Sequence, residues 1–111
     1  MIEALLLDYL NERASVRWYG MRPKNEPERS GLIDKTGMTG DSKLSTSTFA
    51  FQSYAPTLLE AAEISAELRG LLEGAVELAE ITRVQLTTEY NFTNTETRQP
   101  RYQAVFEVTH Y

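Results

Sequence analysis

The 111-residue chain contains no cysteine, one histidine and one tryptophan. Without cysteine it can form neither a disulfide nor a thiolate metal site, which fits a reducing compartment. A histidine-rich metal site is excluded as well, because His110 stands alone. No apolar run reaches the roughly 18–20 residues that a membrane span requires. The opening segment MIEALLLDYLNE includes Glu3 and Asp8 and lacks a basic leader, so it predicts a helix rather than a signal peptide.

What is present is typical of an ordinary globular protein, with 41% hydrophobic and 24% charged residues. We therefore expect a single domain over residues 1–111. The formal net charge is −5 and lies entirely in residues 56–80, which hold six glutamates and only Arg69 as a base. Binding to phosphates needs clustered positive charge. Direct binding to nucleic acid is therefore not expected.

The first part of the chain predicts a helix and two short strands. A helix over residues 2–12 follows from the spacing of its apolar residues, and Asn11 offers a stop. The β-branched and aromatic run Ser15–Gly20 predicts a strand. Residues 21–29 contain two prolines and predict an exposed loop. Residues 30–35 predict a short strand, and the two glycines of residues 36–44 favour a mobile loop. The apolar stripe of the helix consists of Ile2, Leu5, Leu6, Leu7, Tyr9 and Leu10.

The middle of the chain is a strand that leads directly into the longest helix. Ser45–Tyr54 alternates small polar and aromatic residues, which predicts a strand well inside the sheet. Pro56 suits the first helical position, where its missing N–H costs nothing. The helix is expected to extend to about Leu72, with Gly74 as its stop. Its inner stripe is Leu58, Ala61, Ala62, Ser65, Leu68 and Leu72, and its outer side carries Glu60, Glu63 and Glu67.

Two alternating segments at the end, Ile81–Thr93 and Arg101–Tyr111, flank the polar tip NTETRQP and predict an antiparallel hairpin. In the first segment one face is expected to carry Val84, Leu86, Thr88, Tyr90 and Phe92, and the other Arg83, Gln85, Thr87, Glu89 and Asn91. The element order is then α-β-β-β-α-β-β. The predicted fold is α+β, a mostly antiparallel sheet of four to five strands with two helices packed on one face.

No motif in the chain carries catalytic chemistry, and no cofactor or metal is predicted. His110 is best explained as a residue of the last strand. The helical glutamates fit a solvated face better than a Mg²⁺ or Ca²⁺ site. The glycines between Asp34 and Asp41 match neither a phosphate-binding nor a calcium loop. We therefore do not expect an enzyme.

The aromatic residues offer two interpretations. They resemble a base-stacking platform, but the glycine–aromatic motif of RNA-recognition domains is missing and the net charge has the wrong sign. We expect them to fill the core between sheet and helices instead. The set comprises Trp18, Phe49, Phe51, Tyr54, Tyr90, Phe92, Tyr102 and Phe106.

Two segments support a family resemblance. Gln52-Ser53-Tyr54-Ala55 precedes the long helix, and Arg101-Tyr102-Gln103-Ala104 opens the closing strand. Together with a short first helix and a proline loop near residue 23, they resemble the tail terminator proteins of long-tailed bacteriophages. The similarity is strongest to the group from phages and prophages of Gram-positive bacteria, often labelled minor capsid proteins. It spans nearly the whole chain in length and element order.

The resemblance implies a structural virion protein at the junction of tail and head, assembled in the bacterial cytoplasm. Tail terminators form hexameric rings that cap the finished tail tube, end its polymerisation and offer the surface that joins the filled head. The implied partners are further copies of the chain, the major tail tube protein and a head–tail connector protein. The isolated chain can be monomeric until it meets its tube. No catalytic residues carry over, because the family has none.

A ring needs contacts between different patches of neighbouring copies. We expect either the acidic helix face or the polar strand faces to meet the basic first half of the adjacent copy. Candidate interface residues are Arg22, Lys24, Arg29, Lys43, Glu60, Glu63, Glu67 and Arg98. Loops 21–29, 36–44 and 93–100 are expected to be mobile until bound. Two alternatives remain: another head–tail connector or completion protein of the phage neck, and a small-ligand binding domain with an enclosed apolar pocket.

Overall fold

The computed structural model describes residues 1–25, 27–40 and 43–111. The fold is α+β, as predicted, with two helices and one five-stranded sheet. The elements in chain order are α1 (Ile2–Arg13), β1 (Arg17–Tyr19), β2 (Ser30–Gly40), β3 (Ser45–Tyr54), α2 (Leu58–Gly74), a 3₁₀ turn (Ala75–Glu77), β4 (Ile81–Asn91) and β5 (Arg101–His110).

The sheet is mixed, with the strand order β1-β2-β3-β5-β4. Pairs β2–β3, β3–β5 and β4–β5 are antiparallel, as expected, and β3 lies in the middle of the sheet. The short β1 instead runs parallel to β2, with Arg17 opposite Ser30 and Tyr19 opposite Leu32. The loop between β1 and β2 makes this possible, because it is long enough to carry the chain back to the same end of the sheet.

One core lies between the sheet and the helices. The inward residues of α1 are Ile2, Leu6, Tyr9 and Leu10, which confirms the predicted stripe. Phe51 packs edge-on against both Trp18 and Phe106, with ring centroids 6.0 and 5.7 Å apart. Fully burying a side chain of this size stabilises the fold by about 1.5–3 kcal/mol. The inward residues of α2 are Ala61, Ile64, Ser65, Leu68 and Leu72.

The start of α2 differs from the prediction. Thr57, rather than Pro56, sets the first turn: its hydroxyl accepts a hydrogen bond from the Glu60 N–H at 3.2 Å, and the helix begins at Leu58. The threonine side chain accepts a hydrogen bond from a backbone N–H of the first turn, whereas a proline side chain has no acceptor for it. Leu58 is 39% exposed, so the inner stripe starts one turn later than expected. At the other end Gly74 keeps a right-handed backbone, and the chain continues into the 3₁₀ turn instead of stopping.

The glycine-containing segment after residue 35 is largely a strand, contrary to the prediction. β2 continues to Gly40, and its residues 37–40 pair with residues 45–48 of β3. A register shift between Lys35 and Gly37 lets one extra residue bulge out, so the ladder survives the glycines. Asp41 and Ser42, also in the predicted loop, lie outside the described residues.

β4 does not alternate cleanly, because its register against β5 shifts at two places, between Ile81 and Arg83 and between Leu86 and Thr88. The second bulge reverses the sides of the residues after it. Leu86 therefore lies opposite Phe106 on the helix side, whereas Tyr90 lies opposite Gln103 on the open side. The predicted common face from Val84 to Phe92 is wrong beyond Leu86.

Candidate protein interface

The acidic outer face of α2 is already partly used within the chain. Glu67 accepts hydrogen bonds from the Ser15 backbone N–H at 2.9 Å and from its hydroxyl at 3.2 Å, which fixes the connection between α1 and β1. Glu60 lies 3.8 Å from Arg29 and completes the Thr57 cap. Among the described residues Glu63 has no such partner and is exposed. Two of the three predicted interface glutamates therefore stabilise their own subunit.

The predicted basic residues do not form one patch. Arg22 stacks 4.9 Å from the ring centre of Tyr54 and donates to the Gln99 side chain at 3.3 Å. Gln99 directly follows Arg98, which has a left-handed backbone (φ 56°) between β4 and β5. Lys24, also predicted for the interface, is an exposed residue of the loop that carries Arg22. Arg29 is held by Glu60, as described above.

Lys43 lies apart from the other predicted cations. It is exposed and lies two residues before Ser45, the first residue of β3, whereas Tyr54 and the loop with Arg22 are at the other end of that strand. The structure thus brings Arg22 to Gln99, the chain neighbour of Arg98, and places Lys43 at the other end of β3.

A hydrogen-bonded row of side chains crosses the open side of the sheet, which the helices leave uncovered. The Tyr54 hydroxyl donates to Gln52 at 2.8 Å, and the Gln52 amide donates to Gln103 at 2.8 Å. The Gln103 amide in turn donates to the Tyr90 hydroxyl at 2.6 Å. The row therefore connects four side chains from three strands, β3, β5 and β4, to one another.

Arg101 and Phe92 extend this row at its Tyr54 end. The Arg101 guanidinium stacks 4.3 Å from the Phe92 ring centre and donates to the Tyr54 hydroxyl at 3.3 Å. Phe92 meets Tyr90 edge-on, with ring centroids 5.7 Å apart. We call this group the open-face patch; it consists of Arg22, Gln52, Tyr54, Tyr90, Phe92, Arg101 and Gln103.

The composition of the open-face patch is that of a protein interface. Tyrosine, phenylalanine and arginine are enriched at the centres of protein–protein contacts. Tyr90 and Phe92 are 38% and 39% exposed, and the mutual hydrogen bonds and stacking contacts restrict their motion. Restricting side chains before binding reduces the entropy that binding costs. The patch can therefore hold a partner surface with little rearrangement.

Sequence reasoning found only part of this patch. The alternation of β3 places Gln52 and Tyr54 on one face, but Tyr54, Tyr90 and Phe92 were expected in the core. The expectation holds for Trp18, Phe49, Phe51 and Phe106, which are buried against the helices, and Tyr102 packs partly buried beside them. It fails for Tyr90 and Phe92 because the bulge after Leu86 turns them to the open side. Tyr54 is buried as expected, at 3% exposure, but on the open side of the sheet.

The single histidine is held by two neighbours. His110 Nε2 lies 2.8 Å from the Ser47 hydroxyl, and Nδ1 lies 3.1 Å from the backbone oxygen of Tyr111. A neutral ring that donates through Nδ1 and accepts through Nε2 satisfies both contacts. An open pocket of about 420 Å³ adjoins it and is lined by Asp8 and Glu80 among others. Over residues 1–25, 27–40 and 43–111, no three acidic or histidine side chains converge as metal ligands would.

Neither helix is both long and apolar enough to cross a membrane, within the part of the chain that the structure describes. Comparison of the sequence with protein-family models and with curated proteins finds no match.

Proposed function

We propose that this chain is a structural protein that acts by binding, as a tail terminator of a long-tailed bacteriophage. The observation that supports this most is the open-face patch. Its exposed aromatic and arginine side chains lie on the side of the sheet that the helices leave uncovered. A rigid surface of this composition suits a protein whose role is to occupy the end of a larger assembly.

The proposed mechanism is the matching of one ring to another. Copies of the chain assemble as a hexameric ring on the last ring of the tail tube. The end of the sheet that carries Tyr54, Phe92 and Arg101 of the open-face patch meets the tube protein, which blocks the addition of further tube subunits. The opposite end of the ring offers the surface for the head connector. No bond is made or broken, so the free energy comes from burying surface on the neighbours.

Electron microscopy of tube assembly tests this function. Tube protein of the same phage or prophage is polymerised with and without the purified chain. We expect shorter tubes of narrow length distribution, each with a cap at one end. Tubes of unchanged length and without caps would refute the proposal, and binding to the head portal instead would assign the chain to the phage neck.

Two variants locate the binding surface in the same assay. Phe92→Ala removes an exposed ring of the open-face patch. We expect it to lower capping about thirtyfold, which corresponds to the loss of about 2 kcal/mol at which an interface residue counts as a hot spot. Val76→Ala removes an apolar side chain that is 47% exposed in the 3₁₀ turn, outside the patch. This control should cap tubes like the unmodified chain.

A further inference from the structure

Apart from the short β1, two strand edges have no neighbouring strand in the part of the chain that the structure describes. β4 pairs with β5 on one side only, and β1 covers β2 only from Ser30 to Leu32. Within the described chain no strand lies against the outer edge of β2 from Ile33 to Gly40. Backbone N–H and C=O groups along such an edge are a template for a strand of another molecule.

The directions of the two edge strands suit a cyclic assembly. β2, β3, β5 and β4 each run antiparallel to the next, so β2 and β4 point in opposite directions. Rotation of a copy about an axis along the strands keeps these directions. It therefore brings β4 of one copy antiparallel to β2 of the next, the pairing that the rest of the sheet already uses. Such a contact joins two different edges, as a ring requires.

The side chains at the two edges also match. Met38 on β2 and Leu86 on β4 both lie on the helix side of the sheet, and they are 57% and 41% exposed. An antiparallel register with Met38 opposite Leu86 buries both. The same register places Thr39 opposite Gln85 on the open side.

Charges agree with this register. In this register Lys35, three residues before Met38 on β2, lies opposite Glu89, three residues after Leu86 on β4. Both are again on the helix side of the sheet. Opposite charges across two strands stabilise the pairing, whereas like charges destabilise it. Both residues already have a partner in their own chain, Lys35 with Glu3 at 3.8 Å and Glu89 with Arg69 at 3.1 Å, which holds the two charges near the edges.

We propose that the outer edge of β4 pairs antiparallel with the outer edge of β2, at about residues 35–40, in a second copy of this chain. Repeated around a ring, this contact joins the sheets of all copies into one continuous sheet. The inference rests on the proposed function only for its ring-shaped product; the pairing of the two edges follows from the strands themselves.

Cross-linking tests the pairing directly, because the chain has no cysteine of its own. A variant with both Thr39→Cys and Gln85→Cys carries one thiol at each edge on the open side. Opposite Cβ atoms in antiparallel strands are about 4.5–5.5 Å apart, close to the spacing of a disulfide. Mild oxidation at high protein concentration should give a ladder of covalent oligomers that ends at one closed species.

Three controls complete the test. The single variants Thr39→Cys and Gln85→Cys should stay mainly monomeric. The pair Thr39→Cys with Leu86→Cys keeps the position along the strands but places the second thiol on the other side of the sheet, so its yield should fall several-fold. A double variant that stays monomeric, or a single variant that forms dimers as efficiently as the double variant forms oligomers, overturns the proposal.

A second variant makes the result independent of thiol chemistry. Met38→Asp should weaken self-association, measured by sedimentation, about tenfold, because it puts a charge into the apolar contact. Met21→Asp, at a residue 82% exposed in the loop after β1, is the matched control and should have no effect. Equal association of the two variants counts against the pairing.

The outcome separates this inference from the proposed function. Tubes capped by a chain whose edges do not cross-link refute the edge pairing alone. A cross-linked ring that does not cap tubes refutes the terminator function alone.

Discussion

At the scale of single residues, Gly31 leaves the space that the Trp18 ring occupies. Gly31 lies across from Trp18 in the β1–β2 pair, and a Cβ atom built on it would lie 2.2 Å from the indole ring. Trp18 is 1% exposed and packs against Phe51, so the ring has little room to move. The glycine is thus required for the only tryptophan to enter the core.

Gly31→Ala should therefore destabilise the protein by about 1–3 kcal/mol, the usual cost of overpacking a core. Urea unfolding followed by the fluorescence of Trp18 measures this effect with a single reporter. Gly37→Ala is the control in the same strand, because a Cβ there meets no atom within 4 Å. Its stability should stay within about 0.5 kcal/mol of the unmodified chain. Equal midpoints for the two variants would show that the Trp18 pocket can relax.

Asn11 has a structural role in β1 that its position in the sequence does not indicate. It was predicted to stop α1, but the helix continues to Arg13. Its side-chain amide instead accepts from the Trp18 N–H at 2.8 Å and donates to the Trp18 carbonyl at 3.0 Å. It thereby takes the place of a neighbouring strand along β1, which has a strand on one side only.

At the scale of elements, the bulge in β4 determines which side chains face the helices. After the register shift between Leu86 and Thr88, Glu89 turns inward and accepts a hydrogen bond from the Ser65 hydroxyl of α2 at 2.5 Å. Arg69 lies 3.1 Å from the same carboxylate, as an ion pair at an angle unsuited to a hydrogen bond. The bulge therefore connects α2 to the edge strand and at the same time sends Tyr90 to the open-face patch.

Insertion of one alanine between Thr88 and Glu89 should exchange the two faces of β4 for the residues that follow, because side chains alternate along a strand. Glu89 would leave Ser65, and Tyr90 would lose its bond to Gln103, so we expect a loss of about 2–4 kcal/mol for the two partly buried contacts. Thermal and urea unfolding measure the loss. Thr87→Ala keeps the residue count and should change stability by no more than about 0.5 kcal/mol. If the insertion variant is as stable as Thr87→Ala, the contacts of Glu89 and Tyr90 have no structural role.

The same elements show how far the sequence predicts this fold. β3 and β5 were predicted closely, because their alternation continues without a shift. The bulge in β4 could not be predicted, since Leu86-Thr87-Thr88 contains neither glycine nor proline to mark it. The parallel pairing of β1 depends on where a loop returns, and no local pattern encodes that. In β2, Gly37 and Gly40 suggested a loop, whereas pairing with β3 outweighs their low strand propensity.

The candidate interface was predictable to a smaller extent, because the partners of charged residues come from distant parts of the chain. Glu67 lies 52 positions from Ser15, to which it is hydrogen-bonded. The spacing of residues along the helix cannot indicate so distant a partner. The spacing correctly groups Glu60, Glu63 and Glu67 on one side of α2. It does not indicate that two of them are used within the subunit.

At the scale of the whole molecule, the net charge of −5 is concentrated on α2 and the segment after it. Pairing within the chain leaves the exposed Glu63, Glu73, Glu77 and Glu80 to face water. The last turn of α2 contains no basic residue, so the negative end of the helix dipole adds to these charges. Copies that assemble edge to edge bring these acidic surfaces near one another. Their repulsion opposes assembly at low ionic strength.

We therefore expect salt to favour self-association. If the acidic helix face instead bound the basic first half of a neighbouring copy, salt would weaken self-association. Raising the salt concentration shortens the screening length from about 30 Å at 0.01 M to about 8 Å at 0.15 M, which weakens repulsion between copies. Glu63→Lys should produce the same effect at low salt, with association about two- to fivefold stronger, as expected for an exposed charge. Native mass measured over a series of salt and protein concentrations shows whether salt strengthens or weakens self-association.

The control for Glu63→Lys is Glu67→Lys, which changes the charge equally but breaks the contact to Ser15. It should lower the stability of the monomer, whereas Glu63→Lys should leave it unchanged. A ring that dissociates when salt is added, and that does not form in the Glu63→Lys variant, would contradict repulsion between copies. That result would instead make Glu63 part of the contact and move the ring interface from the sheet edges to the helix, because of the three glutamates only Glu63 has no partner within the described chain.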